Sequence, residues 1–334
     1  MTSNPVLVEV TRGSAVESCH RGAFAVVDAS GKIVWAAGDP QMPVYPRSAA
    51  KPLQALPLIE TGAADRFNLG NKELALACAS HKGEPAHVAA IEDWLARIGL
   101  DASHLECGVQ APRTAEAAEK VIRDGAPLNA AYHNCSGKHT GFLTACMACG
   151  DATLGYIEPG HPAQERVTRA LSEMTGCDLA RVPLGRDGCG IPVYCMPLAS
   201  LALGMARLAD PSGLTAARAR AARRLLQAMA AEPYYVNGTG GFTTEAMRAV
   251  PNLRVKGGFE GVYTAALPDI GFGIALKIDD GAMRAAECAM AHILLHLGCF
   301  STDQASALSQ YLNPVILTNA GRAAGGIRSV FVKA

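Results

Sequence analysis

The apolar positions of this chain change their period twice. In the first forty residues they form short runs rich in valine and alanine at 6–10, 23–28 and 32–37, the last two joined by Ala29-Ser30-Gly31 as a hairpin would join them. From residue 48 to about 230 the spacing turns helical, with stretches at 48–62, 74–79, 84–98, 135–150, 162–175 and 214–230 punctuated by glycine and proline. Strand-like runs return at 253–256, 261–267 and 273–279, where Asp279-Asp280-Gly281 turns the chain into a helix reaching about residue 297, and a last strand is expected at 327–332. Two or three strands alone make a marginal sheet, so the runs at the two ends are expected to pair. The pattern predicts a mixed α/β (α+β) fold, an antiparallel sheet built from both termini around a central helical region, in a single domain over residues 1–334. No internal repeat or low-complexity linker interrupts it.

Composition narrows the function classes. With 334 residues, 49% of them hydrophobic, the chain can hide roughly three quarters of its unfolded surface. Thirty basic residues balance thirty acidic ones, leaving no net field to gather a nucleic acid or an anionic membrane. The opening Met1-Thr2-Ser3-Asn4-Pro5 has no basic segment followed by an apolar run, so no secretory leader is expected. The apolar stretch at 288–300 is shorter than the about 20 residues a membrane crossing needs. Eleven cysteines without regular spacing then suggest reduced thiols in a cytoplasmic protein. Cys78, Cys146, Cys149, Cys195 and Cys288 lie in apolar surroundings, as small core residues do, and Cys146-x-x-Cys149 has no second pair at zinc-ribbon spacing.

Three polar clusters carry candidate chemistry. Arg47-Ser48-Ala49-Ala50-Lys51-Pro52 places Ser-x-x-Lys on one face of a helix start, where a lysine of depressed pKa can take the serine's proton; Ser48 as a plain helix cap is the alternative. Ala79-Ser80-His81-Lys82-Gly83-Glu84 adds a second serine at a helix junction, and Lys256-Gly257-Gly258 adds a lysine on a late strand. The order Ser, Ser, Lys is that of β-lactamase-like enzymes, although no S-D-N or K-T-G is present. Asn134-Cys135-Ser136-Gly137-Lys138-His139 with Arg186-Asp187-Gly188-Cys189-Gly190 supplies two thiols and a lysine or histidine. These either hold a zinc-like cation with an open position or are buried cysteines near a helix start. Thr239, in Asn237-Gly238-Thr239-Gly240-Gly241, raises a rival nucleophile exposed by self-cleavage; a glycine-rich turn is the simpler alternative.

Taken together, R-S-A-A-K-P, A-S-H-K-G-E, N-C-S-G-K-H-T-G, D-G-C-G-I-P and K-G-G-F-E-G-V-Y resemble, in order, the signature segments of class 3 (Rhizobium-type, asparaginase II family) L-asparaginases. The resemblance runs through nearly the whole chain. It implies a serine β-lactamase/glutaminase-like fold, a homodimer, and hydrolysis of L-asparagine to L-aspartate and ammonia. By motif it implies two catalytic pairs, Ser48 with Lys51 and Ser80 with Lys256, without settling which serine attacks first. It further implies one zinc per chain held by Cys135, Lys138 and Cys189 and assisting substrate binding, and places Arg47, Ser136, His139 and Asp187 around the substrate. A glutaminase, another amidase, a β-lactam-recognising acyl enzyme and a non-catalytic small-molecule binder on the same scaffold remain as alternatives.

Overall fold

A computed structural model describes residues 3–125 and 127–331. The chain forms two compact units, one from 1–49, 196–210 and 245–334, the other from 50–195 and 211–244.

The first unit is built on strands β1 (Val6–Arg12), β2 (Ala15–Asp28) and β3 (Ile33–Ala37), and a short β4 (Pro43–Val44) that pairs later in the chain. The second unit contributes β5 (Leu184–Arg186) and β6 (Pro192–Tyr194), an antiparallel pair of its own. Back in the first unit come β7 (Met196–Pro197), which pairs β4, then β8 (Arg254–Gly257), β9 (Val262–Leu267), β10 (Phe272–Ile278), β11 (Val315–Leu317) and β12 (Ala323–Ser329). Eight of these form one antiparallel sheet in the order β11-β12-β1-β2-β10-β9-β8, with β3 also on β2. β1 pairs β12 from Val8↔Ser329 to Arg12↔Gly325, so both ends of the chain share the sheet as its strand pattern predicts.

Two helices explain why β9 and the middle of β10 are buried on both faces. The Leu198–Ala209 helix lies so close that a Cβ on Gly273 would stand 2.1 Å from the Ala206 nitrogen. Tyr263, whose side chain points to the opposite face from Gly273's position, bonds through its hydroxyl to Glu287 in the Met283–His296 helix. Strands covered on both faces read as near-continuous apolar runs, and β9 and β10 do, apart from Thr264 and Lys277.

The second unit is helical around Ser136–Cys149, whose residues from Ser136 to Cys146 are all buried. The Asn71–Ala77 helix meets it at a position open only to glycine, since a Cβ on Gly137 would fall 2.2 Å from the Leu76 carbonyl oxygen.

The helices expected at 84–98, 135–150, 162–175 and 214–230 are found as Pro85–Arg97, Ser136–Cys149, Pro162–Thr175 and Ala216–Ala231. The single helix expected at 48–62 is not formed. A 3-10 turn, Arg47–Ala50, leads into two short helices, Lys51–Gln54 and Leu56–Glu60, each with proline near its start. Pro52 and Pro57 lack the amide proton that a continuing helix needs and clash with the carbonyl four residues back. The last strand is β12 at Ala323–Ser329, rather than 327–332; Val332 lies outside the described residues.

Candidate functional site

In the helical unit, Lys51 opens the Lys51–Gln54 helix and is fully buried. Its side-chain nitrogen donates toward the Ala79 carbonyl and the Asn134 carbonyl at 3.4 Å and lies 3.1 Å from the Ser80 hydroxyl. Burial pulls its pKa below the usual lysine range; the Cys135 sulfur opposes that shift and the Lys138 ammonium adds to it. Ser80 stands just beyond the Asn71–Ala77 helix, where the ladder has stopped and the Ala79 carbonyl can turn to the lysine. The Ser80 N–H donates to Val236 O at 2.9 Å, which fixes the serine's backbone.

The residues after Ser80 tie this loop down. Gly83 N–H donates to His81 Nδ1 at 3.1 Å, so the ring carries its proton on Nε2, which donates to Ser136 Oγ at 2.9 Å; Ser136 in turn donates to Ala131 O at 2.9 Å. Burial holds the His81 pKa well below the usual value, as this neutral arrangement requires. Glu84 clamps Thr239, taking its N–H at 3.0 Å and its hydroxyl at 2.9 Å, while Tyr234 donates to the same carboxylate at 2.8 Å. That geometry makes 237–241 a pinned turn.

A sulfur-rich cluster adjoins Lys51. Cys135 stands immediately before the Ser136–Cys149 helix and Lys138 lies in its first turn, 1% exposed. Cys189 arrives on the loop between β5 and β6, closed by Asp187 N–H to Ile191 O at 2.9 Å and braced by a two-pronged Arg186–Glu158 pair at 2.8 and 3.1 Å. Lys138 Nζ donates to Cys189 Sγ at 3.0 Å. The Cys189 thiol is pulled down to about 5, first by its bond with Cys135 and, against the opposing effect of burial, by Lys138 as well. Burial would lower Lys138, but Cys189, Cys135 and Asp187 outweigh it and push its pKa up.

Among the described residues no group of three or more His, Cys, Asp or Glu is placed to hold a metal, so Lys138 would have to supply a third donor. A thiolate suits a borderline cation such as zinc, and Cys189 is held low enough to supply one. Lysine ligates only as the neutral amine, so an entering cation displaces its proton. On these terms Cys135, Lys138 and Cys189 fit zinc.

His139, the next residue on the helix, is fully buried. Its Nδ1 is 2.7 Å from the Tyr156 hydroxyl, which accepts the Glu106 N–H at 2.9 Å. Burial lowers its pKa far below the usual value, Lys138 and Lys51 lower it further, and Cys135 and Asp187 oppose them.

In the strand unit Ser48 lies 3% exposed on the Arg47–Ala50 turn. Arg47 holds a left-handed φ of 49°, uncommon for a residue with a side chain, with its guanidinium 5.6 Å from the centre of the Phe259 ring. Thr264 donates to Ala49 O at 3.0 Å and pairs with Lys256 across β8 and β9, and a Cβ on Gly258 would stand 2.9 Å from Pro46 O. The Lys-Gly-Gly strand therefore runs beside the Ser48 turn, with Lys256 1% exposed and donating to Gly257 O at 2.7 Å.

The structure thus gathers Lys51, Ser80, Cys135, Ser136, Lys138, His139, Asp187 and Cys189 in the helical unit, and Arg47, Ser48 and Lys256 in the strand unit. It adds a hydroxyl partner for Lys51, namely Ser80, beyond the pairings that the sequence resemblance implies. Sequence reasoning missed Asn134 O and Ala79 O as acceptors and gave no sign of Tyr156, a lone tyrosine outside every motif.

The L-asparaginase II family profile matches residues 8–329. No curated protein matches the chain. Among solved structures it is similar to a putative β-lactamase from Bacteroides dorei DSM 17855 at 15% identity, over 77% of this chain and 84% of that one, with a TM-score of 0.43. It is also similar to a β-lactamase from Mycobacterium bovis at 14% identity, over 87% and 94%, with a TM-score of 0.37. For Mglu in its native form the identity is 15%, over 90% and 70%, with a TM-score of 0.46.

Proposed function

We propose that this chain, which belongs to the L-asparaginase II family, hydrolyses the side-chain amide of L-asparagine by serine nucleophilic catalysis with Lys51 as the base. Membership of the family makes it an amidohydrolase. The observation that carries the finer reading is a fully buried lysine, its pKa lowered by that burial, within 3.1 Å of a serine hydroxyl.

Ser80 Oγ attacks the amide carbonyl carbon while its proton passes to neutral Lys51 Nζ. The tetrahedral adduct collapses as Lys51 returns that proton to the departing nitrogen, so ammonia leaves and an aspartyl ester remains on the serine. Water then attacks the ester, Lys51 takes its proton, and the serine leaves with that proton restored, giving L-aspartate. The Ala79 and Asn134 carbonyls hold the lysine in reach of the hydroxyl throughout. The family resemblance adds Ser48 and Lys256, and Ser48 is the rival nucleophile. Zinc, held by Cys135, Lys138 and Cys189, would supply fixed positive charge for a substrate carboxylate.

Ammonia release from a panel of linear amides tests the reading. Asparagine is expected to exceed glutamine by about tenfold or more in kcat/KM, because an extra methylene displaces the amide from the nucleophile. Equal specificity constants, or no release from asparagine, overturn it.

A further inference from the structure

The partner accounting around His139 leaves one arrangement of protons. The Glu106 N–H donates to the Tyr156 oxygen at 2.9 Å. Tyr156 is completely buried, so its own proton must also find an acceptor, and the atom at hand is His139 Nδ1 at 2.7 Å. If His139 instead donated from Nδ1, the tyrosine oxygen would accept twice and its own buried proton would be stranded. Nδ1 is therefore an acceptor, and the ring's proton sits on Nε2. Among the described residues no hydrogen-bond partner stands beside Nε2, although the atom is buried. The groups that act on the ring electrostatically are Lys138, Cys135, Lys51 and Asp187, all of the candidate site.

We propose that Tyr156 is a positioning residue that locks His139 in its Nε2–H tautomer, making the imidazole a fixed hydrogen-bond donor to an oxygen of the bound substrate rather than a metal ligand or a base. The surroundings of Tyr156 are built to hold that direction. Gly155 N–H donates to Glu106 Oε1 at 2.7 Å and Gln164 donates to Tyr156 O at 2.9 Å, so the loop carrying the ring is fastened to the segment that supplies the backbone donor. A histidine otherwise exchanges tautomers readily. Fixing the proton on Nε2 leaves a donor that needs no reorganisation when substrate arrives.

The substrate half of this inference rests on the proposed amide hydrolysis; the tautomer half does not. Nitrogen-15 NMR of histidine-labelled protein without substrate, with His139→Gln assigning the ring, is expected to show Nε2–H for His139. Tyr156→Phe is expected to abolish that single-tautomer signature while the other histidines keep theirs. On kinetics with asparagine, Tyr156→Phe and His139→Leu should raise KM by about threefold to tenfold, the worth of one hydrogen bond, with a smaller change in kcat. His139→Gln, whose amide N–H stands in for Nε2–H, should restore most of the loss. An Nδ1–H tautomer in the wild type, or an unchanged signature in Tyr156→Phe, overturns the lock. A wild-type KM in folded His139→Leu overturns the donor role. Absence of asparagine hydrolysis by the wild type sinks the proposed function and, with it, the substrate half, while the NMR still decides the tautomer. If Tyr156→Phe does not fold, the wild-type tautomer and the contrast between His139→Gln and His139→Leu carry the test.

Discussion

Lys51 and Lys138 show how two equally buried lysines acquire opposite pKa shifts. Taking an ammonium out of water costs several kcal/mol unless charge nearby replaces the lost hydration. The oxygens that Lys51 reaches are neutral, two carbonyls and a hydroxyl, and burial lowers its pKa despite the opposing pull of Cys135 and Cys189. Lys138 donates to the low-pKa sulfur of Cys189, and its pKa rises. Neighbouring groups driven apart in this way mark base and charge support. Lys51→Met is expected to lower kcat by about a thousandfold or more, and Lys51→Arg should not restore it, since a guanidinium does not give up its proton. Ser80→Ala should lose about as much, and the double variant little more, because the pair acts as a unit. Steady-state rates on variants with wild-type thermal midpoints decide this. If Ser48→Ala loses the rate and Ser80→Ala keeps more than about a tenth of it, the nucleophile is Ser48.

At the scale of elements, the seven-residue Asn71–Ala77 helix deserves its stability to its ends, for a helix this short is marginal alone. Glu73 accepts the Gly70 N–H at 2.9 Å and pairs with Arg97. Burial alone would raise the Glu73 pKa, but Arg97 and the Gly70 amide outweigh it and hold it below 4.5. A depressed folded pKa means stabilisation that is present above the unfolded value near 4.5 and lost as pH falls through the folded one. Glu73→Gln is therefore expected to cost about 1 kcal/mol at pH 7, with the difference from wild type shrinking below about pH 4. Urea midpoints at the two pH values check it, and a gap that persists undiminished in acid would assign the loss to packing. Elements of this kind differ in how plainly they are written. Pro162–Thr175 has proline at its start and Gly176 after its end, and its limits read directly from sequence. The first half of β2, residues 15–21, is largely exposed and carries no apolar alternation; pairing with β1 makes it a strand, which no local pattern records.

On the scale of the whole chain, the candidate residues were legible because each motif is contiguous, whereas their partnerships were not. Lys51 and Ser80 are 29 residues apart, Lys138 and Cys189 are 51, and Glu106 and Tyr156 are 50; such pairings follow from how helices and loops pack, and no period encodes them. The family resemblance implies Cys135, Lys138 and Cys189 as metal ligands, which sets an expected response to metal removal. The Lys138–Cys189 hydrogen bond at 3.0 Å joins the β5–β6 loop to the helix start through the protein's own groups. Protein purified without added metal is expected to contain about one zinc per chain by elemental analysis, a complement of one that follows from a single three-ligand site. Chelation should leave the thermal midpoint nearly unchanged and raise KM for asparagine more than it lowers kcat, because Ser80 and Lys51 already provide nucleophile and base. Cys189→Ser should lower zinc content without abolishing the fold. Finding no zinc would leave Cys135 and Cys189 as an ion-paired core element beside Lys138. Loss of turnover at saturating substrate on chelation, reversed by zinc, would make the metal catalytic and remove the main support for serine and Lys51 as the complete nucleophilic unit.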